Sequence, residues 1–273
     1  MCTAHIMNSV KKRMLSRRDL FRGSAAAAAA TAAGGLIAPS AALAQGHERV
    51  EDLTHLLHEG FPTFSGEQEF FMDEVRSFAE HGYHSFDLRM HEHMGTHMDA
   101  PLHFAEDTNS VAEIPVPDLV VPLAVIDIRA KADEDPDAQV TPDDIRAWTA
   151  VHGPIPPRAC VAMLSGWGAH ATSERFRNAD DSGVMHFPGF HIEAAELLLE
   201  ESDAVGIAVD TLSIDHGPSE DFAVHFAWLG ANRYGIECVA NLDRLPPAGA
   251  TLIVGAPRFA RATGGQARIL ALV

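Results

Sequence analysis

Residues 91–103, HEHMGTHMDAPLH, hold four histidines, one glutamate and one aspartate. Imidazole nitrogens mixed with carboxylate oxygens form a donor set for zinc, manganese or iron rather than for a soft copper site. Spacing limits which of them can share an ion. Fully extended, His91, His93, Gly95, His97, Asp99, Pro101 and His103 would lie on one face, yet be spread over roughly 40 Å. Gly95 and the Ala100–Pro101 pair are the places where the chain can bend and gather them. His97 and Asp99, two apart, are the natural local pair. Further donors must come from distant sequence. His225, in a predicted helix, and Glu237, early in the strand predicted after it, are candidates; His186, His191, Asp215 and His216 compete with them on residue type.

The elements that must position these groups can be read from pattern. The stretch HERVEDLTHLLHEGFPTF reads as an entry strand and loop, and GEQEFFMDEVRSFAEHG as a short helix. Val120 to Ile128 reads as a strand, and the prolines before it rule out a long helix. Thr141 can cap a helix that has Pro142 at its first position. RACVAMLSGWGAH reads as a buried strand ending at a glycine-rich corner, which makes Trp167 a pocket candidate. FHIEAAELLLEESD has helical spacing, AVGIAVDTLSID follows as a buried strand, and PSEDFAVHFAWLGANRYG and IECVANLDRL repeat the helix-then-strand order. Two short strands, ATLIVGAP and ARILALV, follow them. Near-continuous apolar strands between helices predict an α/β domain with helices covering at least one sheet.

The N-terminal residues read differently. A basic region with Arg17 and Arg18 in SRRDLF precedes an alanine-rich apolar stretch ending at Ala42-Leu43-Ala44. That order describes an export signal of the twin-arginine type. We therefore expect a signal at 1–44, a single domain at 45–273, periplasmic localisation, and no membrane association after cleavage. The full chain has 273 residues and a formal net charge of -18, and removing the basic signal makes the rest more acidic. An acidic surface repels nucleic acid and anionic lipid, so nucleic-acid binding is excluded. Cys160 and Cys238 lie in apolar runs and read as buried thiols, without the C-x-x-C of a thiolate metal or redox site.

From His93 to His103 the run matches H-x-G-T-H-x-D-x-P-x-H without departure. It resembles the signature of the cyclase-like metal-dependent hydrolases, the family of the bacterial kynurenine formamidase and isatin hydrolase type. LSGWG, FPGFHIEAAELL, GIAVDTLSID and ECVANLDRLP extend the resemblance over nearly all of 45–273. The resemblance implies a swivelling β/β/α domain whose mostly antiparallel, barrel-like sheet is flanked by helices. It also implies a homo-oligomer, dimer or tetramer. It makes His93, His97 and Asp99 ligands of a first metal, with Asp99 bridging to a second held by His225 and Glu237. Zn2+ or Mn2+, one ion or two, is the implied cofactor. His103 takes the place of the catalytic histidine, and Asp210 and Ser213 look like support near the pocket.

The implied reaction opens a small cyclic amide, imide or lactone, or cleaves an aryl formamide, by metal-activated water. The chain has no G-x-S-x-G and no H-E-x-x-H, so serine hydrolase and zincin chemistry lack their motifs. The competing class is a non-catalytic binder of metal or metabolite on the same fold. A binder would have no use for His103. His91, Glu92 and His216 carry no assigned role.

Overall fold

The computed structural model describes residues 48–273, and the expected signal at 1–44 lies outside them. The described chain divides into two units, Phe71–Arg89 and the remainder. The small unit is a hairpin. Strands β2 (Phe70–Arg76) and β3 (Ser85–Met90) pair with each other, and one helical turn, α1 (Phe78–His81), lies between them. The helix expected over this stretch is thus mostly strand. Its aromatic and branched residues suit either state, and the available partner at 85–90 decides for the strand. Within the hairpin the Arg89 guanidinium lies over the Phe71 ring at 3.7 Å.

The large unit is built on a nine-stranded sheet. In chain order its strands are β1 (Val50–Asp52), β4 (His97–Asp99), β5 (Val120–Asp127), β7 (Cys160–Leu164), β9 (Gly206–Val209), β10 (Tyr234–Glu237), β11 (Ala250–Gly255), β12 (Gly264–Gln266) and β13 (Arg268–Leu272). A separate two-residue pair, β6 (Gln139–Val140) with β8 (Gly189–Phe190), is parallel. The sheet order is β1-β13-β11-β5-β7-β9-β10-β4-β12. The central run β5-β7-β9-β10 is parallel, and the remaining pairings are antiparallel. β12 and β13 are one length of chain broken only at Ala267. This segment pairs with β4 at one end of the order and with β11 and β1 at the other, so the sheet curls back toward itself.

Alternation along the central strands divides the core in two. Leu123, Val125, Cys160 and Ala162 face one cluster with Val121, Ala208, Ile236, Leu252 and Ile269. Ala124, Ile126, Val161 and Met163 face the other cluster, which is completed by the helices. These are α3 (Pro142–His152), α4 (Ile192–Glu201) and α5 (Ala223–Gly230), while the short α2 (Arg129–Glu134) adds no residue to that cluster. Strands buried on both faces need apolar residues at every position, which explains the unbroken run CVAML. Cys160 and Cys238 are buried free thiols, as their apolar settings predict. Glu237 comes at the end of β10 rather than early in its strand. The break follows from Cys238, whose φ of 55° leaves the extended range and whose N–H bonds Thr211 O.

α3 begins as its sequence predicts. Asp144 accepts from the Thr141 backbone N–H at 2.7 Å and the Thr141 hydroxyl at 2.8 Å, while Lys131 Nζ lies 2.6 Å from the same oxygen. Burial works against this carboxylate, but the lysine and threonine donors prevail and lower its pKa. Replacing Asp144 by alanine is expected to destabilise the fold by about 1 kcal/mol at neutral pH in urea unfolding. A carboxylate with a depressed folded pKa stabilises above its unfolded pKa and loses that contribution as pH falls. The difference between wild type and D144A should therefore narrow at acidic pH.

Candidate metal centre

β4 is three residues long, and its two neighbours decide what surrounds it. His97 faces Glu237 across the β10 register, while Asp99 faces Gly235 on β10 and Gly264 on β12. His97 and Asp99, two apart, point to the same side, and directly paired Glu237 points there with them. The glycines beside Asp99 leave room that side chains would fill. Before β4 the chain turns at Gly95, φ 62°. After it a 3-10 turn at Pro101–His103 brings His103 back over the group. Both bends fall where the sequence allows them.

The fourth and fifth groups come from further along. His225 lies in the first turn of α5, and the Asp215 carboxylate fixes that turn. Asp215 accepts from the N–H groups of Val224 and His225 at 3.0 and 3.1 Å, and pairs with His225 Nδ1 at 2.6 Å. His225 Nε2 is thereby aimed inward, 3.6 Å from Asp99 Oδ2 and 3.3 Å from Glu237 Oε1. His97 is oriented in the same sense: its Nδ1 lies 2.8 Å from Gly95 O, and its Nε2 is 3.1 Å from Asp99 Oδ1 and 3.4 Å from Glu237 Oε2. Glu237 Oε1 accepts from the Ile214 N–H at 2.9 Å. His93 Nδ1 reaches Asp99 Oδ1 at 2.6 Å, and its ring stacks on His103 with centroids 3.7 Å apart.

Asp99 belongs to two donor groups, one with His97 and Glu237, the other with His93 and His103. His97, Asp99, His225 and Glu237 are all at least 95% buried. The buried atoms His97 Nε2 and Asp99 Oδ2 have no hydrogen-bond partner, although each faces the other donors. Unpaired buried ligand-type atoms that converge on one point fit a divalent cation.

The electrostatics agree. Burial pulls His97 down, but the carboxylates of Asp99 and Glu237 overcome it and hold the imidazole at about 9. Burial likewise opposes the charge on His225, and Asp215, Asp99 and Glu237 raise it well above its ordinary value. Asp99, despite burial, is held well below the usual carboxylate range by His97, His225 and His93. Burial and the nearby Asp99 push Glu237 up. Two carboxylates this close demand positive charge, which protons or a cation can supply. His103 differs: burial dominates and lowers it to about 4, leaving a neutral imidazole at the rim.

The group forms the floor of a cavity of about 350 Å³, walled by Phe64, Met94, Phe104, Leu212 and Phe222. Ser213 also lines it, with a buried hydroxyl that has no partner. Trp167 does not line it: its indole donates to Phe176 O at 2.9 Å inside an aromatic core. Asp210 is also elsewhere. It accepts from Ser165 Oγ at 2.5 Å and Gly166 N at 2.8 Å and shapes the corner after β7, lining a different cavity. Of the competing residues, His186 pairs with Asp137 and His191 caps α4. Asp215 orients His225 rather than joining the donors. The role of Asp215, and of Thr263 and Glu92 beside His93, is missed by sequence reasoning. Only the start of α5 gives a hint, since its buried histidine needs an orienting partner.

Comparison with known proteins gives a consistent result. The Cyclase family model matches residues 51–216. Isatin hydrolase of Roseibium aggregatum is 37% identical over 191 residues, covering 67% of this chain and 72% of that protein. The structure of isatin hydrolase A from Labrenzia aggregata, bound to benzyl benzoate, has a TM-score of 0.77 at 35% identity, covering 82% of this chain and 93% of that one. An isatin hydrolase bound to the product analogue thioisatinate has a TM-score of 0.78 at 29% identity, covering 95% and 99%.

Two outcomes follow from the geometry. Asp215→Asn keeps the shape but loses the carboxylate that fixes His225, and is expected to weaken metal affinity about 10–100-fold in chelator competition. His97 sits at about 9, so below that pH a cation must displace its proton. Binding should release protons, seen as a buffer-dependent heat in calorimetry, and affinity should fall as pH falls from 9 toward 6.

Proposed function

This chain belongs to the cyclase family, and from that premise we propose that it is a metal-dependent hydrolase that opens a small cyclic amide or imide of the isatin type. The reading is carried by the convergence of three imidazoles and two buried carboxylates beneath an aromatic-walled cavity. His93, His97 and Asp99 would hold one ion, and Asp99 with His225 and Glu237 a second. N/O donors of this kind suit Zn2+ or Mn2+. When bound, such an ion supplies a Lewis acid that acidifies water and polarises a carbonyl.

The chain supplies the rest. His103, neutral and stacked on His93, accepts the proton of the attacking water and returns it to the departing nitrogen. Phe104 lies 4.6 Å from His225 and 5.7 Å from Phe222, ring centre to ring centre. Together they form an apolar wall that admits a flat ring and keeps bulk water from the reacting carbonyl. The buried Ser213 hydroxyl, with no partner of its own, would meet a polar atom of the substrate. The proposal includes export on residues 1–44, supported by the SRRDLF and Ala42-Leu43-Ala44 pattern, and assembly into a homo-oligomer, supported by the family resemblance.

Metal-loaded protein is expected to hydrolyse isatin in a spectrophotometric assay, with N-formylkynurenine, lactones and cyclic imides as comparators. Tight reversible binding of these compounds without turnover would instead support a binder. His103→Ala is expected to retain metal while turnover falls at least about 100-fold. Loss of metal from that variant would make His103 a ligand. His97→Ala is expected to lose both metal and activity.

A further inference from the structure

The side of His93 facing away from Asp99 is enclosed by residues 263–266. Thr263 Oγ1 lies 2.9 Å from His93 Nε2 and also hydrogen-bonds Glu92 Oε1. The Thr263 backbone N–H reaches Glu92 Oε2 at 3.2 Å, so one carboxylate grips the threonine at two points. A threonine hydroxyl has a single proton, and an ionised carboxylate can only accept. The hydroxyl proton therefore goes to Glu92. The hydroxyl oxygen then accepts from His93 Nε2–H, and a neutral imidazole protonated there carries its lone pair on Nδ1. Nδ1 faces Asp99 Oδ1 at 2.6 Å, a contact that needs a proton or a cation between the two atoms.

Two neighbours support the ring. A Cβ on Gly264 would lie 2.5 Å from His93 Cε1, so the imidazole occupies the space a side chain would need. Gln266 Nε2 donates to His91 O at 2.6 Å, with Met94 O at 3.3 Å, tying down the loop on both sides of His93.

We infer that Thr263 and Glu92 are positioning residues that hold His93 with Nε2–H turned outward, so that it meets a cation through Nδ1, whereas His97 and His225 present Nε2. The inference rests on the proposed metal centre. Without the hydroxyl nothing holds the proton on Nε2, while Asp99 beside Nδ1 draws it to that atom, and the ring then presents the wrong nitrogen.

The test uses the full chain labelled with 15N-histidine and loaded with Zn2+, its His93 signals identified by their loss in His93→Asn. Expected are a metal-shifted Nδ1 and a protonated Nε2 on His93. Thr263→Val is expected to bind Zn2+ about 10–100-fold more weakly in chelator competition. Thr263→Ser, which restores the hydroxyl, should recover most of that loss. A zinc-shifted Nε2 on His93, or T263V binding Zn2+ as tightly as wild type, would overturn the inference and leave the centre standing. Wild type that takes up no Zn2+ would overturn both. The nitrogen spectrum of the unaltered chain decides the question even if T263V does not fold.

Discussion

A carboxylate buried in the middle of a sheet is expensive unless donors or a cation surround it. Asp99 is 1% exposed, and Glu237 lies close enough for the two to raise each other's cost. The surrounding architecture answers that demand. Three imidazoles approach Asp99 from a bend before β4, from β4 itself and from the start of α5. Each is oriented by a different kind of acceptor: a hydroxyl for His93, a backbone carbonyl for His97 and a carboxylate for His225. The same network that makes two buried negative charges tolerable makes the point between them a place for positive charge.

The sheet supplies the room. Asp99 has glycine opposite it on both adjacent strands, so a short strand can carry a crowded cluster without a backbone clash. The rigid parallel strands β5, β7 and β9 lie to one side, and α5 packs on their helical face. This fixes where His225 and Glu237 can be, since β10 joins the parallel run and also borders β4. A centre built from strand and helix residues keeps its geometry better than one built on loops.

The sequence makes some of this readable and hides the rest for identifiable reasons. The run from His93 to His103 shows its donors because they are close together and the bends between them fall at Gly95 and Pro101. The buried strands and α3 announce themselves through unbroken apolar runs and a capping pair. His225 and Glu237 gain their roles from a resemblance, since a lone histidine and a lone glutamate carry no signal. Asp215, Thr263 and Gly264 are ordinary residue types whose importance is three-dimensional: a hydrogen bond spanning 170 positions leaves no local trace. Trp167 looks like a pocket residue beside its glycines, but its indole N–H finds a carbonyl in the core. The stretch at 70–76 shows the limit of pattern, where pairing rather than propensity chooses strand over helix.

The segment formed by β12 and β13 serves two ends of the sheet at once, and its position in the chain gives it a place in time. Protein synthesis delivers the histidine run early, followed by β5, β7, β9, β10 and β11, before Thr263 and Gly264 exist. Until then the curled sheet cannot close, β4 lacks one of its neighbours, and His93 lacks the hydroxyl at its Nε2. Contacts so distant in sequence form late and slowly. The nascent chain therefore holds His97, Asp99, His225 and Glu237 before it holds the group that orients His93. The orientation of His93 is thus the last part of the centre to be set.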